Sequence, residues 1–351
     1  MDVENFDPED VISDNGNYFG MPFSPEQSAL VLISAPWDVT VSFRDGTSYA
    51  PDAIIDVSRQ LDFYDPAWPE SWRKGIATAP IDYSIQDISH HLRPDAERVI
   101  ANLEDGGSRI ADDYYARKLR KINDASAEMN EKILSQARHW LLQGKIVGLV
   151  GGDHSTAYGM IRAVGERYDG FGVLQIDAHC DLRPAYEGFE HSHASVMYNV
   201  LRDVPQLARL TQVGVREFSR KEWELAREDA RVEMFCDHDL STARAEGATW
   251  REQCDRIVAT LPHDVYVSLD IDGLSVECCP HTGTPVPGGL SFNEAAYLLE
   301  RIVGSGRRIV GFDLVEVVPD IDDRIDAAIA ARLLFKLCGA ALKNCESENI
   351  I

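Results

Sequence analysis

The sequence predicts an α/β fold in which a mainly parallel sheet carries helices on both faces. Three observations lead there. Apolar runs of four to eight residues recur and mostly lack the alternation of a half-exposed strand; helix-length segments lie between most of them; and no internal repeat or Pro/Ser-rich linker divides the 351 residues. The whole chain, 1–351, is therefore read as one domain, with 1–120 as an N-terminal elaboration of it.

Taken in order, "ALVLISAPW" at 29–37 is a strand-like run set among turn-rich and acidic segments. From residue 124 the pattern becomes regular: "ASAEMNEKILSQARHWLLQ" has helical periodicity and gives way at Gly144 to the strand "KIVGLV". Further strands are expected at 171–176, 210–215, 232–236, 265–271 and 308–314, with helices over 219–230, 240–260 and 291–304. In sheets of this kind ligands bind beyond the carboxyl ends of the strands.

Composition narrows the partners. With 58 acidic against 34 basic residues the net charge is -24, which repels nucleic acid and anionic membrane and attracts a small cation. Only eight of the 34 basic residues are lysine, a bias that suits hydration in concentrated salt, and a halophilic source is one expectation; acidic drift is the other. The acidic N-terminus and the lack of a membrane-length apolar run lead us to expect a cytoplasmic protein. Seven cysteines without CxxC spacing fit reduced thiols better than a disulfide framework or zinc ribbon. The adjacent Cys278 and Cys279 are read as loop residues, a redox device being the alternative.

The polar residues that interrupt this pattern all fall where strands should end. "GLVGGDHS" places Asp153 and His154 after one strand, "IDAHCD" places Asp177, His179 and Asp181 after the next, and "SLDIDG" places Asp270 and Asp272 at the end of a later one. Alternate residues of an extended chain share a side, so Asp177, His179 and Asp181 can converge, while Cys180 points the other way and is read as packing. So many carboxylates at one rim cannot all stay ionised without a cation. Carboxylate and imidazole donors without thiolate suit a divalent first-row ion, manganese first, with nickel, cobalt or zinc as alternatives. The number of donors suggests two ions roughly 3.5 to 4 Å apart, bridged by carboxylates and by a water made acidic enough to act as a hydrolytic nucleophile.

"GGDHS", "DAHCD" and "SLDIDGL...TGTPVPGG" resemble the three signature segments of the ureohydrolase family, which includes arginases and agmatinases. The resemblance runs from about residue 144 to 338, with a weaker echo at "GTSYAPDAI", 46–54. It implies a three-layer α/β/α sandwich, a binuclear manganese site, hydrolysis of a guanidino group to an amine and urea, and assembly as a trimer or hexamer. Carried over by motif, His154, Asp177, Asp181 and Asp270 would hold one ion, and His179, Asp272 and the shared Asp177 and Asp270 the other. His193 in "EHSHAS" matches the proton-shuttling histidine, with His191 as its competitor. Glu316 in "GFDLVEVVP" matches the glutamate that receives the guanidinium, and Thr284 in "TGTP" a threonine beside it.

The sequence departs from arginases at the amino-acid clamp, where Arg183 and "VGVREFSRKE" stand in place of the usual residues. Agmatine is accordingly the leading substrate, with guanidinobutyrate (through Arg183), arginine and free guanidine as alternatives. Ser275 and Val276 replace the usual Asp-Pro after "DGL", which is expected to alter loop support only. A zinc-dependent deacetylase and a catalytically silent metal scaffold are the readings from other classes.

Overall fold

In the computed structural model, which describes residues 6–106 and 113–343, eight strands form one parallel sheet. They are β1 (Leu30–Ala35), β2 (Ile76–Thr78), β3 (Ile146–Gly151), β4 (Phe171–Ile176), β5 (Leu207–Val213), β6 (Val232–Phe235), β7 (Asp264–Asp270) and β8 (Arg308–Val315). Their spatial order is β2-β1-β3-β8-β7-β4-β5-β6, and every pairing is parallel. The helices are α1 (Ala50–Ser58), α2 (Ser84–Glu104), α3 (Asp113–Leu142), α4 (Ala157–Arg167), α5 (Val196–Asp203), α6 (Arg220–Glu228), α7 (Asp237–Ala245), α8 (Trp250–Thr260), α9 (Phe292–Gly304) and α10 (Ile325–Lys343).

Both faces of the sheet are covered, which is why its strands read as continuous apolar runs. Leu30 and Leu32 join one core, against α1, α7, α8, α9 and α10; Val31 and Ile33 join the other, against α2 to α6. The result is a three-layer α/β/α sandwich.

Several elements differ from the sequence reading. The first 80 residues supply two strands, and β1 lies inside the sheet between β2 and β3. Helix α2 occupies a stretch read as turn-rich, and it continues through Pro94. The segment 240–260 is two helices: α7 stops before Gly247, at φ +101°, and α8 restarts with a capping box between Thr249 and Glu252. Strand β5 begins at Leu207 and ends before Gly214, whose φ of +92° turns the chain. Cys345 lies outside the described residues.

Two glycines let the strand ends crowd together. A Cβ on Gly152 would lie 1.9 Å from the Trp37 carbonyl oxygen, and one on Gly273 would lie 2.5 Å from the Asp177 nitrogen. Neither position has room for a side chain.

Candidate metal centre and active-site cavity

The four central strands β3, β8, β7 and β4 are neighbours, and the segments leaving their carboxyl ends carry His154, Glu316, Asp270 with Asp272, and Asp177 to Asp181. Adjacency in the sheet thus joins residues more than 150 positions apart.

His154 Nδ1 lies 3.1 Å from Asp177 Oδ2, 2.8 Å from Asp181 Oδ2 and 3.3 Å from Asp270 Oδ2. His179 Nδ1 lies 3.1 Å from Asp272 Oδ2 and 3.5 Å from Asp177 Oδ1. Two overlapping triads result, His154–Asp177–Asp181 and Asp177–His179–Asp272, each with donor atoms within 4.8 Å of one another. Asp177 belongs to both.

These groups are fixed from behind. His154 Nε2 is 2.9 Å from Ser268 Oγ, which donates to buried Asp313; Asp313 also accepts from Tyr266 at 2.7 Å. With Nε2 engaged there, Nδ1 is left facing the carboxylates. Gln175 donates to Asp177 Oδ2 at 2.7 Å and accepts from Gln212 at 2.6 Å. The Ala178 amide donates to Asp272 Oδ1 at 3.0 Å, and the Asp272 amide to Asp270 Oδ1 at 2.9 Å. Asp181 adopts φ +55° and Glu316 φ +62°, backbone conformations that non-glycine residues rarely adopt.

The electrostatics test whether a cation fits. Asp181 is pushed up to about 7 by burial and by Asp177, and Asp270 is raised well above the carboxylate range by burial and by Asp272 and Asp177. Asp177 goes the other way: the adjacent His154 and His179 rings outweigh its burial and hold it low. Burial opposes charge on the His154 ring, yet Asp177, Asp181 and Asp270 hold its pKa well above 6.5. The protein alone leaves these carboxylates competing for too few positive charges. His154 Nδ1 is also buried without a well-formed hydrogen bond. Divalent cations would satisfy both deficits, so His154, Asp177, His179, Asp181, Asp270 and Asp272 fit a metal centre.

Above this cluster opens a cavity of about 170 Å³ lined by Ser42, His179, Asp181, Arg183, Tyr186, His193, Ala194, Glu217, Glu222 and Thr284. His193 stands in its wall, edge-on to Tyr186 at 5.8 Å; burial and the nearby His179 and His154 lower its pKa to about 3, so its ring is neutral. His191 turns away to pack on Tyr158 at 5.3 Å and does not line the cavity. Arg183 Nε lies 3.4 Å from Glu222 Oε2 and its guanidinium lies over the Tyr186 ring. Glu316 is nearly buried, accepts from the His154 amide at 2.8 Å, and is raised well above its usual pKa by burial and by Asp153. Thr284 Oγ1 is 3.3 Å from Asp272 Oδ2. Cys180 is buried in the core beside α2 to α6, and Cys278 and Cys279 are free thiols in the turn after β7.

Sequence reasoning missed four supports of this site. Glu217 stands 3.9 Å from His179 Nε2, and Glu222 neutralises Arg183. Arg216 donates to the carbonyls of Gly214, Asp272, Leu274 and Val286, stapling the Asp272 loop to the following turn. Asp313 had a visible signal, as a lone carboxylate inside an apolar strand.

Comparison with known proteins decides the family. The model of the Arginase family matches residues 28–339. The chain belongs to the arginase family. The match begins well before the first signature motif, because β1 belongs to the sheet. An N(1)-aminopropylagmatine ureohydrolase of Thermus thermophilus is 30% identical over 323 residues, 92% of this chain and 93% of that protein. The agmatinase of Bacillus anthracis is 26% identical, covering 87% of this chain and 89% of that protein. Among solved structures, the agmatine ureohydrolase of Thermoplasma volcanium aligns with TM-score 0.66 at 24% identity over 93% of this chain and 94% of that one. Proclavaminate amidino hydrolase of Streptomyces clavuligerus aligns with TM-score 0.72 at 22% identity over 96% and 100%. These structures share the fold. This arginase-family chain is accordingly a hydrolase of the ureohydrolase type, and no helix among its described residues is long and apolar enough to cross a membrane.

Proposed function

We propose that this arginase-family enzyme uses two manganese ions to hydrolyse the guanidino group of a small cationic amine, agmatine first, to urea and the corresponding amine. The observation that carries this reading is the pair of triads sharing Asp177, two of whose members, His179 and Asp181, line the cavity. Asp270, whose Oδ2 lies 3.3 Å from His154 Nδ1, would complete the ligand set with them. The two ions, when bound, supply a nucleophile from water at neutral pH and offset charge developing on the guanidino carbon's substituents.

The remaining work falls to this chain's side chains. Glu316, held by the His154 amide, receives the planar guanidinium as a carboxylate acceptor, and Thr284, 3.3 Å from Asp272, lines the cavity. Water adds to the guanidino carbon, the bond from that carbon to the alkyl nitrogen breaks, and the leaving amine needs a proton. His193, neutral in the cavity wall, takes a proton and passes it to that nitrogen; Asp181 fixes the cluster opposite.

A cationic tail is favoured over a carboxylate one because Glu222 already engages Arg183 and Glu217 adds a second carboxylate at the rim. The relatives named for agmatine and N(1)-aminopropylagmatine support the same choice over guanidinobutyrate, arginine or guanidine. We place the enzyme in the cytoplasm as a homo-oligomer, trimeric or hexameric. The free cysteines support a reducing compartment.

The test is urea release from agmatine, N(1)-aminopropylagmatine, guanidinobutyrate, arginine and guanidine after reconstitution with manganese, nickel or cobalt. Agmatine or its aminopropyl derivative with manganese is expected to give the highest kcat/KM. Asp270→Ala is expected to abolish turnover and to release metal measured by elemental analysis; retention of both ions at full occupancy would overturn the ligand set.

A further inference from the structure

The turn between β7 and α9 brings Thr284 to the cavity, and its opposite end is anchored to another element. Asp326, buried in the first turn of α10, accepts from the His281 amide at 3.1 Å through Oδ1 and lies 2.7 Å from the ring Nδ1 through Oδ2. The other ring nitrogen is 3.7 Å from Asp320 Oδ2, and Arg44 donates to the His281 carbonyl at 3.2 Å.

From His281 the chain passes directly into the substrate site. Thr282 Oγ1 donates to the Glu316 carbonyl at 2.8 Å. Next, Gly283 packs beside the Glu316 carboxyl, where a Cβ would be in van der Waals contact with Oε2 at 3.4 Å. Thr284 Oγ1 then reaches Asp272 at 3.3 Å. Glu316 and Asp326 both belong to the segment running from β8 into α10. Thr282 therefore fastens the turn at Glu316, the residue that would hold the guanidinium, and His281 fastens it at the start of α10.

We propose that His281 is a positioning residue, whose ring clamps the turn onto α10 and so sets Thr282 and Gly283 against Glu316 and Thr284 against Asp272. Its partners Asp326, Asp320 and Arg44 lie outside the proposed metal-ligand set. The role rests on the guanidino-hydrolase reading above. The groups facing the ring are Asp326, Asp320 and Asp323 from the β8–α10 segment, with Arg44 on the carbonyl side. The hydrogen bond to Asp326, acting against partial burial, and the charges of Asp326, Asp320 and Asp323 raise the ring's pKa above 6.5. A raised folded-state pKa means the clamp is at full strength below 6.5 and weakens as pH climbs through the raised value.

The experiment compares manganese-loaded wild type, His281→Asn and Asp326→Asn. It follows KM and kcat for agmatine across pH, and hydrogen exchange of backbone amides over 276–288. In wild type KM is expected to rise at alkaline pH; in His281→Asn, KM is expected to be about tenfold higher with kcat within about threefold, and that alkaline rise should be absent. In Asp326→Asn that rise should move to lower pH, because the ring loses its anionic partner. Amides of the turn should exchange faster in both variants.

A residue that only stabilised the fold would lower the melting temperature without altering the pH profile of KM. That result overturns the proposal. So does exchange of the turn that is independent of residue 281. If wild type hydrolyses none of the guanidino compounds while turn exchange still depends on residue 281 and on pH, the substrate reading falls and the clamp stands.

Discussion

Glu316 combines three costs at one position: a φ of +62°, 5% exposure, and a carboxyl whose ionisation is opposed by burial and by Asp153. Strain and buried charge at one residue are the usual signs of a site kept for function. Glu316→Gln keeps the shape and removes the charge. It is expected to raise KM for a guanidinium substrate roughly 10- to 100-fold, the loss of one charge-assisted pair. The melting temperature should hold or rise, since an unfavourable buried carboxylate is gone; steady-state kinetics and thermal unfolding read the two effects separately. A fall in both activity and melting temperature would instead make Glu316 a structural anchor. His154, Asp177, His179, Asp181, Asp270 and Asp272 could be picked out in the sequence because strand ends are short and the motifs local. Arg216, Glu217, Glu222 and His281 could not, because each acts on a partner supplied by a different loop.

At the level of elements, the site depends on how closely β3 and β1 can end side by side. The Asp153 amide donates to the Trp37 carbonyl at 2.8 Å, and Gly152 passes beneath that same carbonyl. Gly152→Ala has no compliant neighbour to push aside, since the obstructing atoms are backbone. It is expected to cost more than about 3 kcal/mol in urea unfolding and to displace His154. Legibility varied among the elements for physical reasons. The long inner strands were readable as apolar runs, whereas β2 has three residues and offers no period to detect. Helix α2 buries Ile85, Leu92, Ala96 and Val99 at helical spacing, but its Pro94 and its many polar residues mask that stripe. The break between α7 and α8 was marked by Gly247 and by Thr249 three residues ahead of Glu252. Length alone joins the two.

For the molecule as a whole, a net charge of -24 sets the response to salt. Repulsion among carboxylates acts over distances that salt screens, whereas close arginine pairs such as Arg138–Glu166 at 2.6 Å are screened less. Raising KCl from about 0.1 to about 1 M shortens the screening length from roughly 10 to 3 Å, so the melting temperature is expected to climb by several degrees. A flat response in scanning fluorimetry would remove the halophilic reading of the lysine-poor composition.

The sequence by itself determined the fold class and which residue types gather at the strand ends, because apolar runs and DxH spacing are local properties of the chain. Only the tertiary structure decided that β3, β8, β7 and β4 are neighbours, and with that the separation of His154 from Asp270, the turning of His191 away from the cavity and the pairing of Arg183 with Glu222. Those distances depend on strand order and on contacts between distant loops, which spacing along a chain does not encode.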